Sequence, residues 1–157
     1  MASTVDIVEF ILGGERYALD IQLAREIVEM IPITPIPRAP PYISGVINLR
    51  GEITNIMNLN TLLGLPPREI QENQKIIVLV PDAASGSNVG IIVDEVTSVL
   101  QVAETDIEHL GEGLSSEVSS FVKGIIKLKG DESDKKKSTG LIIWIDMQKV
   151  LEDVAGK

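Results

Sequence analysis

Residues 45–51, Gly-Val-Ile-Asn-Leu-Arg-Gly, return in outline at residues 124–130, Gly-Ile-Ile-Lys-Leu-Lys-Gly. This doubling limits the possible folds more than any other feature of the chain. In both copies a glycine opens a short aliphatic run, a basic residue follows, and a second glycine closes it. Such runs, rich in β-branched residues, read as strands. The closing glycine supplies the positive φ of a tight reversal. After the first copy a second strand runs through Ile53 and Ile56 to Asn58. Leu59, Leu62 and Leu63 then recur at helical spacing, with Gly64 just past the end. After the second copy come a loop, a strand over 141–145 and a helix over 147–154. Two copies half a chain apart predict two lobes of one architecture. Two unrelated hairpins are the plain alternative.

The chain has 157 residues, enough for one domain made of two small lobes sharing a core. Apolar residues make up 44%, but aromatics only 3%, so the core must be built from Ile, Val and Leu. That composition favours strands. A net charge of −9 argues against binding nucleic acid, which needs a basic patch to displace counterions. It argues equally against attraction to anionic membrane surfaces. There is no cysteine, hence no disulfide framework, thiol nucleophile or cysteine-based zinc site. Residues 1–6 lack a basic segment and an apolar core, so no signal peptide is expected. No apolar run reaches the length a bilayer needs, so no membrane insertion is expected either. These features point to a cytoplasmic protein.

Along the chain, residues 7–12 and 17–19 read as a hairpin turning at Gly13-Gly14-Glu15. Asp20 is a candidate N-cap for one helical turn over 21–24. Residues 27–33 read as a strand, followed by a stiff loop with Pro35, Pro37, Pro40 and Pro41. Its P-x-x-P spacings could be a polyproline ligand but fit a rigid connection better. The polar stretch 68–74 is the best candidate for a boundary, giving lobes of approximately 1–70 and 71–157. Strands are expected at 75–80, 89–93, 96–102 and 121–128, with short helical turns and loop over 104–120. Residues 130–140, with three acids and the run Lys135-Lys136-Lys137, read as a solvated loop. The last helix places Met147, Val150, Leu151 and Val154 on one face, with Asp146 as its N-cap. Many short strands at close spacing suggest small barrels. Each would bury little alone, so an Ile/Val/Leu-rich joint between them is expected.

Little in the chain resembles an active site. His109 is the only histidine, and Glu108 and Glu112 do not stand at a recognised metal-ligand spacing from it. Asp94 and Glu95 are adjacent, so on a strand they would face opposite ways. No nucleophile elbow, Walker loop or dinucleotide fingerprint occurs. No cofactor, metal or catalytic residue is expected. The alternative is a small ligand-binding or hydrolytic β-barrel using Asp94, Glu95 and His109. Arg50, between Leu49 and Gly51, is either a solvated turn residue or an anchor whose rigid fork of donors grips a partner carboxylate or carbonyl.

The residues also resemble those of the CheW family of chemotaxis coupling proteins across nearly the whole chain. The matching pieces are residues 10–21; Arg25-Glu26-Ile27; the proline-rich loop into Tyr42-Ile43-Ser44-Gly45-Val46-Ile47-Asn48-Leu49-Arg50-Gly51; residues 89–96; and Gly124-Ile125-Ile126 with the last strand and helix. The resemblance implies two intertwined SH3-like five-stranded β-barrels with short helices, forming a single domain over 1–157. It implies a non-enzymatic adaptor that joins the cytoplasmic tip of a chemoreceptor to the regulatory domain of the histidine kinase CheA, pairing barrel to barrel. By family match, Arg50 and Gly45 would lie at the receptor-facing groove between lobes, with Ala24 and Val93 near it. No kinase-contact residue is assigned. One departure stands out. Where the family usually has Ile-Val-Pro-Ile-Val-Asp-Leu, this chain reads Ile-Thr-Asn-Ile-Met-Asn-Leu over 53–59, which puts in doubt any contact carried by the family's aspartate.

Overall fold

The computed structural model describes residues 3–65, 73–80, 88–108, 121–127 and 140–155, with side chains as far as Glu152. Among these residues the aliphatic runs form eleven strands: β1 (Thr4–Leu12), β2 (Glu15–Asp20), β3 (Ala24–Glu29), β4 (Ile43–Leu49), β5 (Glu52–Asn58), β6 (Lys75–Leu79), β7 (Val89–Val93), β8 (Glu95–Ala103), β9 (Ile107–Glu108), β10 (Val122–Lys127) and β11 (Leu141–Ile145). Helix α1 (Leu59–Leu62) follows β5, and α2 (Met147–Ala155) follows β11. Single 3-10 turns occupy Ile21–Leu23 and Glu104–Asp106. The strands make two sheets, in the orders β8-β1-β2-β11-β10-β9 and β3-β6-β7-β5-β4.

These two orders are the same order. Thr34 makes an isolated bridge to Val46 on the outer side of β4, which corresponds to the short β9 beside β10. That single-residue bridge explains why one sheet has six strands and the other five. The parallel pair in each sheet, β2 with β11 and β5 with β7, falls at the same place. Tyr42 accepts a backbone bond from Asn58, and Phe121 accepts one from Asp146. The doubled sequence is therefore a doubled structure. In each copy the register shifts at the opening glycine, between Ile43 and Gly45 and between Val122 and Gly124. A Cβ on Gly45 would lie 2.2 Å from the Thr34 carbonyl oxygen, and one on Gly124 would lie 2.9 Å from that of Glu108. Glycine opens both copies because another backbone crosses there.

The division of the chain differs from an expected cut near residue 70. One sheet takes the continuous segment from β3 to β7, and the other takes both flanks. A polar stretch such as 68–74 marks a loop, but strand pairing is decided by non-local hydrogen bonds that leave no local composition signal. The β3 strand also begins three residues before the expected 27, and no strand spans residues 30–33.

Three cores follow from the alternation of side chains along the strands. Ile7, Ala18, Val102, Ile107, Ile126, Ile142 and Trp144 fill the first barrel. Ile47, Ile56, Ile76, Val78 and Ile92 fill the second. The largest core is the seam, where the outer faces of the sheets meet. There Phe10, Leu12 and Leu19 join Ile77, Leu79, Ile91 and Val93, with Met147, Val150 and Leu151 of α2. The expected aliphatic joint is thus present. Asp146 caps α2, its Oδ1 accepting from the Lys149 amide at 3.2 Å. Asn58, at the family's aspartate position, accepts from the Thr61 amide at 3.4 Å, so the amide side chain does the capping there.

Asp20 does not cap the 3-10 turn that follows it. Its carboxylate accepts instead from Trp144 Nε1 at 2.6 Å and from Lys123 Nζ at 3.0 Å. The bulge at Lys123 aims its ammonium over the Trp144 ring, 4.6 Å from the centroid. These contacts tie β2, β10 and β11 where the chain leaves the first sheet. Trp144→Phe keeps an aromatic face for Lys123 but removes the donor to a charged acceptor together with part of a buried ring system. It should cost about 1.5 kcal/mol, a midpoint shift of about 5 °C in thermal unfolding. An unchanged midpoint would show that the indole bond contributes nothing.

Candidate partner-binding face

Arg50 and Gly51 are the two residues of a hairpin turn, because Leu49 pairs directly with Glu52. Both have positive φ, 52° and 87°, as the turn that matches strand twist requires. Glycine adopts this freely. An arginine here is strained, and non-glycine residues with positive φ cluster at functional positions. The Asn48 side chain accepts from the Gly51 amide at 2.9 Å and braces the turn.

The turn holds the Arg50 guanidinium out from the sheet, and its side chain is 64% exposed. It donates to Glu26 on β3, the opposite edge of the same sheet. The pKa of Arg50 is raised, first by this hydrogen bond and then by the charge of Glu26. A second pair, Arg25 with Glu52 at 3.7 Å, joins the same two elements. The curl of the sheet brings β3 to the β4–β5 turn, so the two pairs mark a charged rim. Ile27 and Ile53, next to these charged residues in sequence, are 44% and 62% exposed. The exposed guanidinium offers a planar fork of donors of the kind that grips a carboxylate or carbonyl.

The other expected positions lie differently. Ala24 begins β3, half-buried against the seam, opposite Leu79. Gly45 is buried under the backbone of Thr34. Val93 is fully buried in the seam. The structure joins Arg50 to the strand that carries Ala24. Gly45 has no side chain, and that of Val93 is enclosed in the core. Sequence reasoning did not single out Arg25 and Ile27, which share the exposed face of β3, or Glu26, which pairs with Arg50 from the other face. The alternation Arg25-Glu26-Ile27-Val28-Glu29 was the available signal, since it marks a strand with one charged or exposed face.

His109, invoked for the hydrolytic alternative, lies outside the described residues, as does nearly all of the charged loop 130–140. The Asp94 carboxylate is committed to the Gly13 amide and to Gln74, and Glu95 is exposed. Among the described residues no three His, Asp or Glu side chains are grouped to hold a metal, and no helix is long and apolar enough to cross a membrane.

The model of the CheW-like domain matches residues 6–155. This chain belongs to the CheW family. It is 35% identical over 121 residues to the chemotaxis protein CheW of Bacillus subtilis, covering 77% of this chain and 76% of that one. It is 28% identical over 152 residues to CheW of Thermotoga maritima, covering 97% and 91%. Among solved structures it resembles the scaffolding protein TtCheW of Thermoanaerobacter tengcongensis, at 34% identity and a TM-score of 0.73 over 93% of this chain and 90% of that chain. The CheW-like fold of two packed SH3-like barrels accounts for the repeated strand order above, with the rim of Arg50 and Glu26 on the second barrel.

Proposed function

We propose that this CheW-like chain is a non-enzymatic coupling adaptor of chemotaxis, joining the cytoplasmic tip of a chemoreceptor to the regulatory domain of CheA. It works on the cytoplasmic side, recruited to receptor arrays. The observation that carries this reading is the rim on the second barrel, where a strained, exposed arginine is paired with Glu26 and Arg25 with Glu52. A receptor tip is helical, and a helix offers an apolar ridge punctuated by polar groups. Arg50 is the anchor for such a ridge, and Ala24 and Gly45 support it by letting backbone approach closely. The kinase's regulatory domain, which has the same barrel architecture, pairs at a barrel end. Two partners on one rigid body supply coupling by proximity, without chemistry.

The test is a three-component pull-down. An immobilised receptor cytoplasmic fragment should retain CheA only when this chain is present. Equal retention of CheA without the chain would overturn the adaptor reading.

A further inference from the structure

The chain passes between the two sheets at two described places, from Asp20 to Ala24 and from Val93 to Glu95. The second crossing is a single residue, Asp94. Its backbone amide donates to the Ile11 carbonyl at 2.9 Å. Its Oδ2 accepts from the Gly13 amide at 2.8 Å, and its Oδ1 accepts from Gln74 Nε2 at 3.0 Å. Ile11 and Gly13 belong to the β1–β2 hairpin of the first barrel. Gln74 is buried at the entry to β6 in the second.

We propose that Asp94 is a latch that fixes one barrel against the other. The β1–β2 turn has two residues, Gly13 and Gly14, both with positive φ, between the paired Leu12 and Glu15. Its closing bonds use Leu12 and Glu15, so the Gly13 amide points away from the hairpin, where water is the usual partner. Here a carboxylate 81 residues away takes it instead. The same carboxylate reaches into the other barrel through its second oxygen. Bonds to a charged acceptor are about twice as strong as neutral ones.

The internal repeat shows that the fold does not require an acid at this place. Leu23 precedes β3 as Asp94 precedes β8, and Leu23 joins its neighbouring strand through its carbonyl, which accepts from Val80 at 2.8 Å. The fold therefore accepts a leucine at the equivalent place in the other crossing, and Asp94 adds a carboxylate there in the second. A cleft of about 450 Å³ lies beside the latch, walled by Leu12 and Tyr17 of the first barrel and by Asn60 and Leu65 of the second. Burial and the nearby charge of Glu15 raise the pKa of Tyr17. The shape of this cleft depends on the angle that Asp94 holds.

The latch is tested on the full chain without any partner, so its failure is separate from failure of the adaptor reading. The chain has no native cysteine, so Ile53→Cys and Ser98→Cys place one spin label on each barrel at exposed sites. Asp94→Asn puts an amide N–H₂ against one of two donors. Hydrogen exchange at the Gly13 amide should speed up about tenfold, and the inter-label distance distribution should broaden while far-UV circular dichroism is kept. Gln74→Leu, which removes the bond to the second barrel and leaves the Asp94 carboxylate facing Gly13, should broaden the distances without exposing Gly13. It serves as the reading if Asp94→Asn fails to fold. Native Gly13 protection in Asp94→Asn, or unchanged distance widths in the variants that fold, would overturn the latch.

Discussion

A Gly45→Ala variant should unfold about 10 °C below the parent chain, the largest loss expected of a single methyl group in this protein. Gly45 is buried with φ at 147°, a conformation that side chains rarely adopt. The new Cβ would sit 2.2 Å from the Thr34 oxygen and 2.7 Å from Ile33 Cγ2. Neither can yield cheaply. Thr34 is held on both sides, its amide donating to Val46 and its carbonyl accepting from Val46, each at 2.9 Å. Overpacking of about 1–3 kcal/mol adds to a backbone cost of about 1–2 kcal/mol. Gly51→Ala separates the two contributions. Its φ is 87° but its Cβ would meet nothing within 4 Å, so it carries the backbone cost alone and should lower the midpoint by only about 4 °C. Gly124→Ala, with a 2.9 Å contact and no positive φ, should fall between native and Gly45→Ala. A Gly45→Ala midpoint within about 2 °C of the parent would show that the Thr34 crossing moves freely. Gly45 would then have to be read as a partner contact.

Arg50→Glu should weaken receptor binding by at least about 30-fold, the threshold of an interface hot spot. The substitution places a carboxylate beside Glu26 and Glu52 and converts a donor fork into an acceptor. Folding should survive, because the side chain is mostly exposed and leaves no buried partner. Arg50→Gly makes a sharper test. Glycine relieves the positive φ, so this variant should melt a few degrees higher than the parent. It should nevertheless bind the receptor fragment poorly. A residue kept for stability would show both changes in the same direction. Native binding by a folded Arg50→Gly variant would remove Arg50 from the contact. Raising salt should weaken binding further, since the charges of this rim are screened within about 8 Å at physiological ionic strength.

Much of the architecture was legible because its signals are local. The aliphatic runs at 45–49, 75–79, 89–93 and 141–145 became strands, and the leucines after Asn58 became α1. Asp146 capped the last helix as expected, and Met147, Val150 and Leu151 faced one core. The doubled glycine string was the most informative of these. It marked equivalent crossings in the two barrels, at Thr34 and at Glu108. Asp20 was misread because capping propensity is also local. The indole and ammonium that outcompete the turn amides come from residues 144 and 123.

The site was legible only in part. Arg50 could be singled out from its apolar neighbours and its place before a glycine. Glu26, which holds it, could not, because the contact depends on how far the second sheet curls. Val93 lies buried in the seam, because the outer face of β7 is covered by the other sheet.

The order of residues alone determined that this protein is an aliphatic, cysteine-free, twice-repeated β chain with glycines where backbones must cross. Tertiary structure alone decided that the second barrel is cut from the middle of the chain and the first assembled from its two ends. It alone brought Gly13, Gln74 and Asp94 together. Strand propensity and turn chemistry act over a few residues and are written in sequence. Sheet partnership is a competition among distant hydrogen-bonding edges, decided only when burial of both faces picks the winner.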